Sequence, residues 1–135
     1  MIAADTSALV AIALGEPERA SFLRAMRDAN IVLISTVSVV ETRMVVHARR
    51  GERAVVLIDD LLRLPMFEIL PPGLEEMNAA FAAFVAYGKG TGHPAALNFG
   101  DLFSYALSKV RSIPLLFKGN DFSQTDLVPA CQPIG

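Results

Sequence analysis

The sequence has a single cysteine and no tryptophan in its 135 residues. One cysteine cannot form an internal disulfide, and Cys131 has no cysteine or histidine at the spacing of a zinc site, which excludes disulfide-stapled and zinc-finger domains. Positive charge is also scarce, with 12 lysines and arginines against 14 acids and a pI of about 5.6. A protein without a global positive field can contact nucleic acid only locally, or through bridging cations.

Long apolar runs are absent as well. No run approaches the roughly 18 residues that span a bilayer, and Met1 leads into structure without the basic region or cleavage site of a signal peptide. We therefore expect a cytoplasmic protein with no membrane association. Hydrophobic residues make up 53% of the chain, with a mean hydropathy of +0.43. This composition supports a large core in a single domain spanning residues 1–135, folding alone or as a small oligomer.

Short apolar runs alternate with pairs of helical patterns. The runs predict strands at residues 1–5, 31–34, 67–70 and 113–117, and a short last strand over Leu127–Ile134. Branched residues fill the run Ile31–Ile34, which is typical of a strand buried on both faces of a parallel sheet. Two helices between successive strands predict an α/β fold, with a parallel sheet of four to five strands and helices on both faces.

Apolar residues on two of the helices are predicted to face the core. On the helix after the second strand these are Val40, Met44, Val45 and Ala48; on the helix over 74–87 they are Met77, Ala80, Phe81, Phe84 and Val85. The helices over 9–29 and 37–64 carry more hydrophobic residues than one small sheet covers. An exposed groove is therefore expected to remain for a partner protein or a second protomer.

Four acids follow the predicted strands or open a helix beside them: Asp5, Glu41, Asp101 and Asp121. Ligands of open parallel sheets bind outside the carboxyl ends of the strands, so these acids are expected to converge there. Each acid also has a structural explanation. Asp5 and Asp121 suit turns, Ser38 and Glu41 have the spacing of a capping box, and Asn98 with Asp101 suits a helix start.

Convergence of the acids would require cations. Two carboxylates about 5 Å apart repel by roughly 3 kcal/mol at an effective dielectric of 20, so four ionised together need neutralisation. Oxygen ligands without cysteine or paired histidine favour Mg²⁺ or Mn²⁺ over zinc. Such ions held by carboxylates are suited to the attack of water on a phosphodiester.

Four segments carry a resemblance to a known family: MIAADTSALVAI, ISTVSVVETR, HPAALNFGDLFSYALSK and LLFKGNDFSQTDL. Through them the chain resembles the PIN-domain ribonucleases, and more narrowly the VapC-type toxins of type II toxin–antitoxin systems, from Met1 to about Leu127. The resemblance implies a PIN-like three-layer sandwich and an endoribonuclease that depends on Mg²⁺ or Mn²⁺. It also implies an RNA substrate, a homodimer, and a cognate antitoxin whose tail covers the acidic cleft.

The resemblance also assigns roles to individual residues. It puts the family's metal-binding acidic positions at Asp5, Glu41, Asp101 and Asp121. Polar positions that orient water or metal in the family match Ser7, Asn120 and Thr125, with Asp126 as a weaker candidate. Candidate RNA contacts are Arg43, Lys89 and His93.

Three alternative functions follow from the same layering of helices on a sheet. A receiver-like signalling domain needs adjacent acids after the first strand and an acceptor aspartate after the third, but Thr6 follows Asp5 and Pro71-Pro72-Gly73 follows strand three. A haloacid-type phosphatase needs a DxD motif, which Asp5-Thr6-Ser7 lacks. A non-catalytic binding module with a PIN fold stays open, because only geometry decides whether the acids converge.

Overall fold

Four parallel strands form the centre of the fold. The structure is a computed structural model and describes residues 1–132. The strands are β1 (Ile2–Ala4), β2 (Val32–Ser35), β3 (Phe67–Leu70) and β4 (Leu115–Leu116), in the order β3-β2-β1-β4. All three pairings are parallel, which confirms the prediction of a parallel sheet. The predicted last strand is reduced to one bridge between Pro129 and Leu115, and its end lies outside the described residues.

Pairs of helices connect the strands, as predicted. They are α1 (Thr6–Ala13), α2 (Arg19–Ala29), α3 (Thr36–Arg50), α4 (Glu52–Leu62), α5 (Leu74–Tyr87) and α6 (Phe99–Arg111), followed by a 3₁₀ turn at Phe122–Gln124. Asp5, Ser35 and Asn98 cap α1, α3 and α6 by accepting hydrogen bonds from backbone N–H groups. Because α3 is capped at Ser35, Glu41 lies in its second turn. The predicted capping box of Ser38 with Glu41 is therefore wrong.

The sheet separates two apolar cores. Alternate strand residues point to opposite faces, so Ile2 and Ala4 pack in one core while Ala3 packs in the other. The first core lies under α1 to α4, and the second lies under α5 and α6. This confirms the three-layer α/β sandwich. Within residues 1–132, no helix combines the length and apolarity needed to cross a membrane.

Two predicted core faces are wrong in part: Ala80 is buried and Val45 partly buried as predicted, but the other predicted positions are exposed. On α3, Val40 and Met44 are 55% and 66% exposed, and the buried positions are instead Ser38, Val39, Thr42 and Val46. On α5, the buried positions are Ala80 and Ala83, whereas the larger side chains Leu74, Met77, Phe81, Phe84 and Val85 are exposed. Small residues face inward on α5 because this helix packs closely along α6. Both helices therefore present apolar side chains to solvent.

Candidate active site

The four predicted acids lie at the carboxyl edge of the sheet. Asp5 directly follows β1, Glu41 lies on the helix that follows β2, and Asp121 belongs to the segment after β4. Asp101 lies in the first turn of α6. The charges of the other three acids all act on the Asp101 carboxyl, so the fold brings the set together.

Asp5 is the buried member of this group, with only 2% of its surface exposed. Its Oδ2 accepts a hydrogen bond from the Ser7 backbone N–H at 2.9 Å, and its Oδ1 accepts one from the Ser104 hydroxyl at 2.5 Å. The first bond makes Asp5 the N-cap of α1, whereas the sequence suggested Asp5 only as a turn residue. The second bond holds the other oxygen as well, so the carboxylate has one fixed orientation.

Asp101 also combines a cap with the electrostatics of an acidic site. The Asn98 backbone N–H donates to Asp101 Oδ2 at 3.0 Å, and the Asp101 N–H donates to Asn98 Oδ1 at 2.9 Å. Burial nevertheless raises the pKa of the Asp101 carboxyl to about 7 from its ordinary 3.8, against the lowering effect of the Asn98 N–H. The nearby charges of Asp5, Asp121 and Glu41 raise this pKa further.

Glu41 approaches α6 through Gly100. A Cβ placed on Gly100 would collide with both carboxylate oxygens of Glu41, so a larger residue there would force the Glu41 carboxylate to turn away from α6. The glycine is needed for close approach, because its backbone is ordinary α-helix. Glycine at this position therefore sets how near Glu41 lies to the neighbouring Asp101.

Asp121 is exposed on the segment after β4, and the predicted polar helpers hold that segment. Ser7 Oγ accepts a hydrogen bond from the Lys118 N–H at 2.9 Å, joining the segment to the start of α1. Thr125 Oγ1 donates to the Phe122 carbonyl at 2.6 Å and closes the 3₁₀ turn. Asn120 is exposed and accepts a hydrogen bond on its carbonyl from Ser123. Ser7 and Thr125 thus fix the backbone that carries Asp121.

Asp126 lies elsewhere. It accepts hydrogen bonds from Tyr105 and Lys109, both at 2.6 Å, and these residues lie one and two turns beyond Asp101 along α6. The Lys109 ammonium, and then the Tyr105 hydroxyl, hold the pKa of the Asp126 carboxyl below its usual range. This position does not support the predicted role of Asp126 beside the other acids; it tethers the C-terminal segment to α6.

The candidate RNA contacts are partly engaged within the protein. Arg43 Nε donates to Asp59 Oδ1 at 2.9 Å, which ties α3 to α4. His93 Nδ1 accepts a hydrogen bond from the Ala95 N–H at 3.0 Å, and its ring meets the Tyr87 ring edge-on. Lys89 is exposed at the start of the loop before α6. These contacts hold Arg43 and His93 in place and leave Lys89 facing solvent.

An apolar hollow of about 550 Å³ adjoins the acids. Its walls are Val37, Val40 and Met44 of α3 with Phe99 of α6, and Glu41 forms its polar side. No lysine or arginine of the described chain lines it. The acids therefore open onto an apolar surface rather than a basic groove.

The donor set fits a hard divalent cation. Four carboxylates meet without a balancing positive charge among the groups that shift Asp101, and carboxylate oxygen is the ligand that Mg²⁺ and Mn²⁺ prefer. Among residues 1–132, however, no three acidic, histidine or cysteine side chains are already grouped as a metal ion requires. Ligation of an ion would therefore require side-chain movement, for which the exposed Asp121 and the half-buried Glu41 have room.

Sequence reasoning missed two functional candidates beside Asp5. Ser104 was not singled out, and Ser38 was considered only as a cap. Both are almost completely buried, and their hydroxyls lie 3.1 Å apart. A serine on the core-facing side of an apolar helix, one turn from an acid, was the available signal, since buried hydroxyls need partners.

Comparison with known proteins agrees with this geometry. The sequence profile of the PIN domain matches residues 2–127. Ribonuclease VapC30 of Mycobacterium tuberculosis is 43% identical over 129 residues, covering 96% of this chain and 98% of the relative. The solved structure of VapC20, a sarcin–ricin loop cleaving toxin of M. tuberculosis, has a TM-score of 0.80 at 20% identity, covering 98% of this chain and 100% of that chain. VapBC2 of Rickettsia felis, solved bound to a DNA fragment from its promoter, has a TM-score of 0.71 at 15% identity, covering 99% of this chain and 98% of the matched chain.

Proposed function

The chain belongs to the PIN-domain family, within its VapC group, and from this premise we propose that it is a divalent-metal-dependent endoribonuclease toxin. The observation that carries the proposal is the convergence of three other carboxylates on Asp101, where burial and these charges raise the pKa to about 7. Like charges gathered at a sheet edge destabilise a fold unless they serve a ligand. The ribonuclease relatives support RNA as the proposed substrate class, and action on cellular RNA would require a cytoplasmic protein.

Each acid has a distinct part in this proposal. Asp5 is the preorganised ligand, because both of its oxygens are held by hydrogen bonds. Glu41, Asp101 and Asp121 complete the oxygen set from three other segments. A bound Mg²⁺ or Mn²⁺ would neutralise the scissile phosphate and lower the pKa of an attacking water. Because the overall charge is −2, such a cation also lets the acidic cleft receive a polyanion.

The reaction is tested by cleavage of bacterial RNA with Mn²⁺ and with excess EDTA. We expect cuts in single-stranded or looped RNA only with metal, leaving 5′-phosphate and 3′-hydroxyl ends. A substrate with 2′-deoxyribose at the mapped cut should still be cleaved, because water rather than the 2′-hydroxyl attacks. Undiminished cleavage in EDTA contradicts the proposal, and binding of RNA without cleavage under any metal condition supports the non-catalytic module.

Two apolar surfaces support protein partners. One is a groove of about 380 Å³ between α1, α2 and α4, lined by Ile12, Leu23, Leu57 and Leu61 with Arg19 and Asp60. The other is the outer face of α5, where Leu74, Met77, Phe81 and Val85 are 54–76% exposed. Exposed apolar patches of this kind mark interaction sites. We assign the groove to a helix of a cognate antitoxin, and the α5 face to a second protomer.

A matched pair of variants separates the two surfaces. Leu57→Glu should abolish the stable complex with the antitoxin encoded next to this gene. The variant should still sediment as a dimer. Phe81→Glu should convert a dimer into a monomer and leave antitoxin capture intact. A wild-type monomer at micromolar concentration contradicts the dimer. Failure of both variants to alter either assembly contradicts the assignment of these surfaces.

A further inference from the structure

A chain of buried hydroxyls leads into the acidic cluster. Ser104 donates to Asp5 Oδ1 at 2.5 Å, and the Ser38 and Ser104 hydroxyl oxygens lie 3.1 Å apart. Ser38, Ser104 and Asp5 are 0%, 1% and 2% exposed. Three segments distant in sequence therefore meet through side-chain hydrogen bonds that solvent does not reach.

The direction of the protons in this chain follows from the donors available. An ionised carboxylate only accepts, and a serine hydroxyl has one proton to give. Ser104 gives its proton to Asp5, so Ser38 must be the donor in the contact between the two serines. The hydrogen bonds consequently run from Ser38 to Ser104 to Asp5, and each one polarises the next.

The two serines occupy matching places beneath the acids. Ser38 lies one turn before Glu41 on α3, and Ser104 lies one turn after Asp101 on α6. Their contact joins α3 to α6 one helical turn from Glu41 and one helical turn from Asp101. A shift of either helix would thus break the hydroxyl contact and move an acid.

Ser38 is itself held firmly. Its backbone carbonyl accepts hydrogen bonds from Thr42 Oγ1 at 2.7 Å and from Thr6 Oγ1 at 3.3 Å. Thr6 follows Asp5, so the network returns to the end of β1. The far end of the hydroxyl chain is thereby fixed to the same backbone that carries the carboxylate.

We propose that Ser104, supported by Ser38, is a positioning residue that holds the Asp5 carboxylate in the orientation required to bind a divalent cation. This inference rests on the proposed function. Groups that hydrogen-bond to a metal ligand fix its orientation, and their loss typically weakens metal affinity by about 10- to 100-fold. The other Asp5 oxygen is held by a backbone N–H, so Ser104 is the only side chain in the described structure that orients this ligand.

The test is calorimetric titration of Mn²⁺ into the RNA-free protein. Ser104→Ala should raise the Kd for Mn²⁺ by about 10-fold or more. Ser38→Ala should raise it less, because the bond from Ser104 to Asp5 survives. The double variant should bind no more weakly than Ser104→Ala, because both serines act through one chain.

Ser108→Ala is the matched control. Ser108 lies one turn beyond Ser104 on α6, is equally buried, and donates to the Ile113 carbonyl at 2.5 Å, away from the acids. Its loss should lower the melting temperature, as loss of Ser104 should, and leave the Kd for Mn²⁺ unchanged. This comparison separates positioning from general destabilisation.

The outcomes are distinct. An unchanged Kd in Ser104→Ala, or an equal rise in Ser108→Ala, overturns the positioning role and leaves the proposed function standing. Absence of Mn²⁺ binding by the wild-type protein overturns the proposed function and this inference with it. If Ser104→Ala does not fold, Ser38→Ala decides: a raised Kd supports the role, and an unchanged Kd overturns it.

Discussion

The pKa values of two aspartates near opposite ends of α6 are shifted in opposite directions. At the start of the helix, burial and three neighbouring acids raise the pKa of Asp101 to about 7. Near its end, Lys109 and Tyr105 hold the pKa of Asp126 below its usual range. Asp126 has the ion pair expected of a stabilising residue, whereas Asp101 is surrounded by charge of its own sign. Asp101 lies in the first turn of α6, whereas Asp126 contacts the later turns of that helix from the C-terminal segment. The first carboxylate carries an electrostatic cost, and the second contributes to stability.

This difference shows where the protein stores unfavourable energy. A carboxylate with a raised pKa opposes folding at neutral pH, whereas one with a lowered pKa favours it. Such strain is expected where a ligand relieves it, since perturbed carboxyls concentrate at functional sites. The acidic end of α6 is therefore where we expect a ligand to stabilise the fold.

The largest expected effect is the loss of RNA cleavage in Asp101→Asn. Removal of one metal-binding charge should reduce the rate by about 100-fold or more, equivalent to several kcal/mol of transition-state stabilisation. Asp126→Asn is the matched control, because it makes the same substitution at an aspartate of the C-terminal segment that contacts α6 away from the other acids. Its cleavage rate should stay within about 3-fold of wild type. The measurement is single-turnover cleavage with Mn²⁺. Equal cleavage rates for the two variants would show that Asp101 is no more important for cleavage than Asp126.

Asp101→Asn should also raise the melting temperature in EDTA. The folded-state pKa of Asp101 is raised, so ionisation opposes folding: the penalty is absent below pH 3.8 and complete above about pH 7. Asparagine keeps an oxygen that accepts from the Asn98 N–H, so the gain should be roughly 1–2 kcal/mol at pH 8 after solvent screening. In melting curves recorded from pH 4 to 8, the difference in melting temperature between the variant and the wild type should grow as the pH rises. A variant that melts earlier yet cleaves normally would mean that Asp101 only caps the helix.

Gly100→Ala should disturb the arrangement of the acids at the start of α6 without changing their charge. The added methyl meets the Glu41 carboxylate, which is the end of a flexible side chain and can turn away, so the fold should lose little stability while Glu41 is displaced from the other acids. Displaced Glu41 should also weaken Mn²⁺ binding. Gly73→Ala is the control, because its added Cβ lies 3.3 Å from the flexible Glu76 carboxylate, so Mn²⁺ affinity should not change. Equal Mn²⁺ affinity in both variants would show that the close approach of Glu41 is not needed.

The smallest expected effect is the stability change in Asp126→Asn. The lowered pKa means that this carboxylate stabilises the fold above its unfolded value of 3.8, and that the contribution is lost as pH falls through its folded value. The pair with Lys109 is partly exposed, so the melting temperature should fall by no more than about 3 °C at pH 7. The difference should shrink toward zero as the pH falls below 3.8. A constant difference across this range would point to packing rather than charge.

The strand and helix order was predictable from the sequence because its signals are local. The branched run of β2, the capping residue Asn98, and the alternation of strands with helix pairs each depend on neighbours in the chain. Parallel order then follows from two helices between strands, and it carries Asp5 and Asp121 to one edge. The acids could therefore be chosen correctly as a converging set before any distance was known.

The direction of two helix faces was not predictable for a physical reason. Helix α5 is apolar almost all round, so periodicity does not distinguish its inward side. Close packing against α6 selected Ala80 and Ala83 for the interior and left Phe81 outside. On α3 the buried side includes Ser38 and Thr42, which pattern reading treats as solvent-facing. Polar residues could be buried there because their hydroxyls find partners on other segments.

The sequence by itself determined the fold class, the family and the identity of the acids, because strand order, caps and motifs are encoded in short stretches of chain. The tertiary structure alone decided what surrounds those acids. It separated Asp126 from Asp101, brought Ser38 and Ser104 together behind Asp5, and set Glu41 against Gly100. Each of these contacts joins segments far apart in sequence. Their distances and charges depend on how α3 and α6 pack, which no local pattern records.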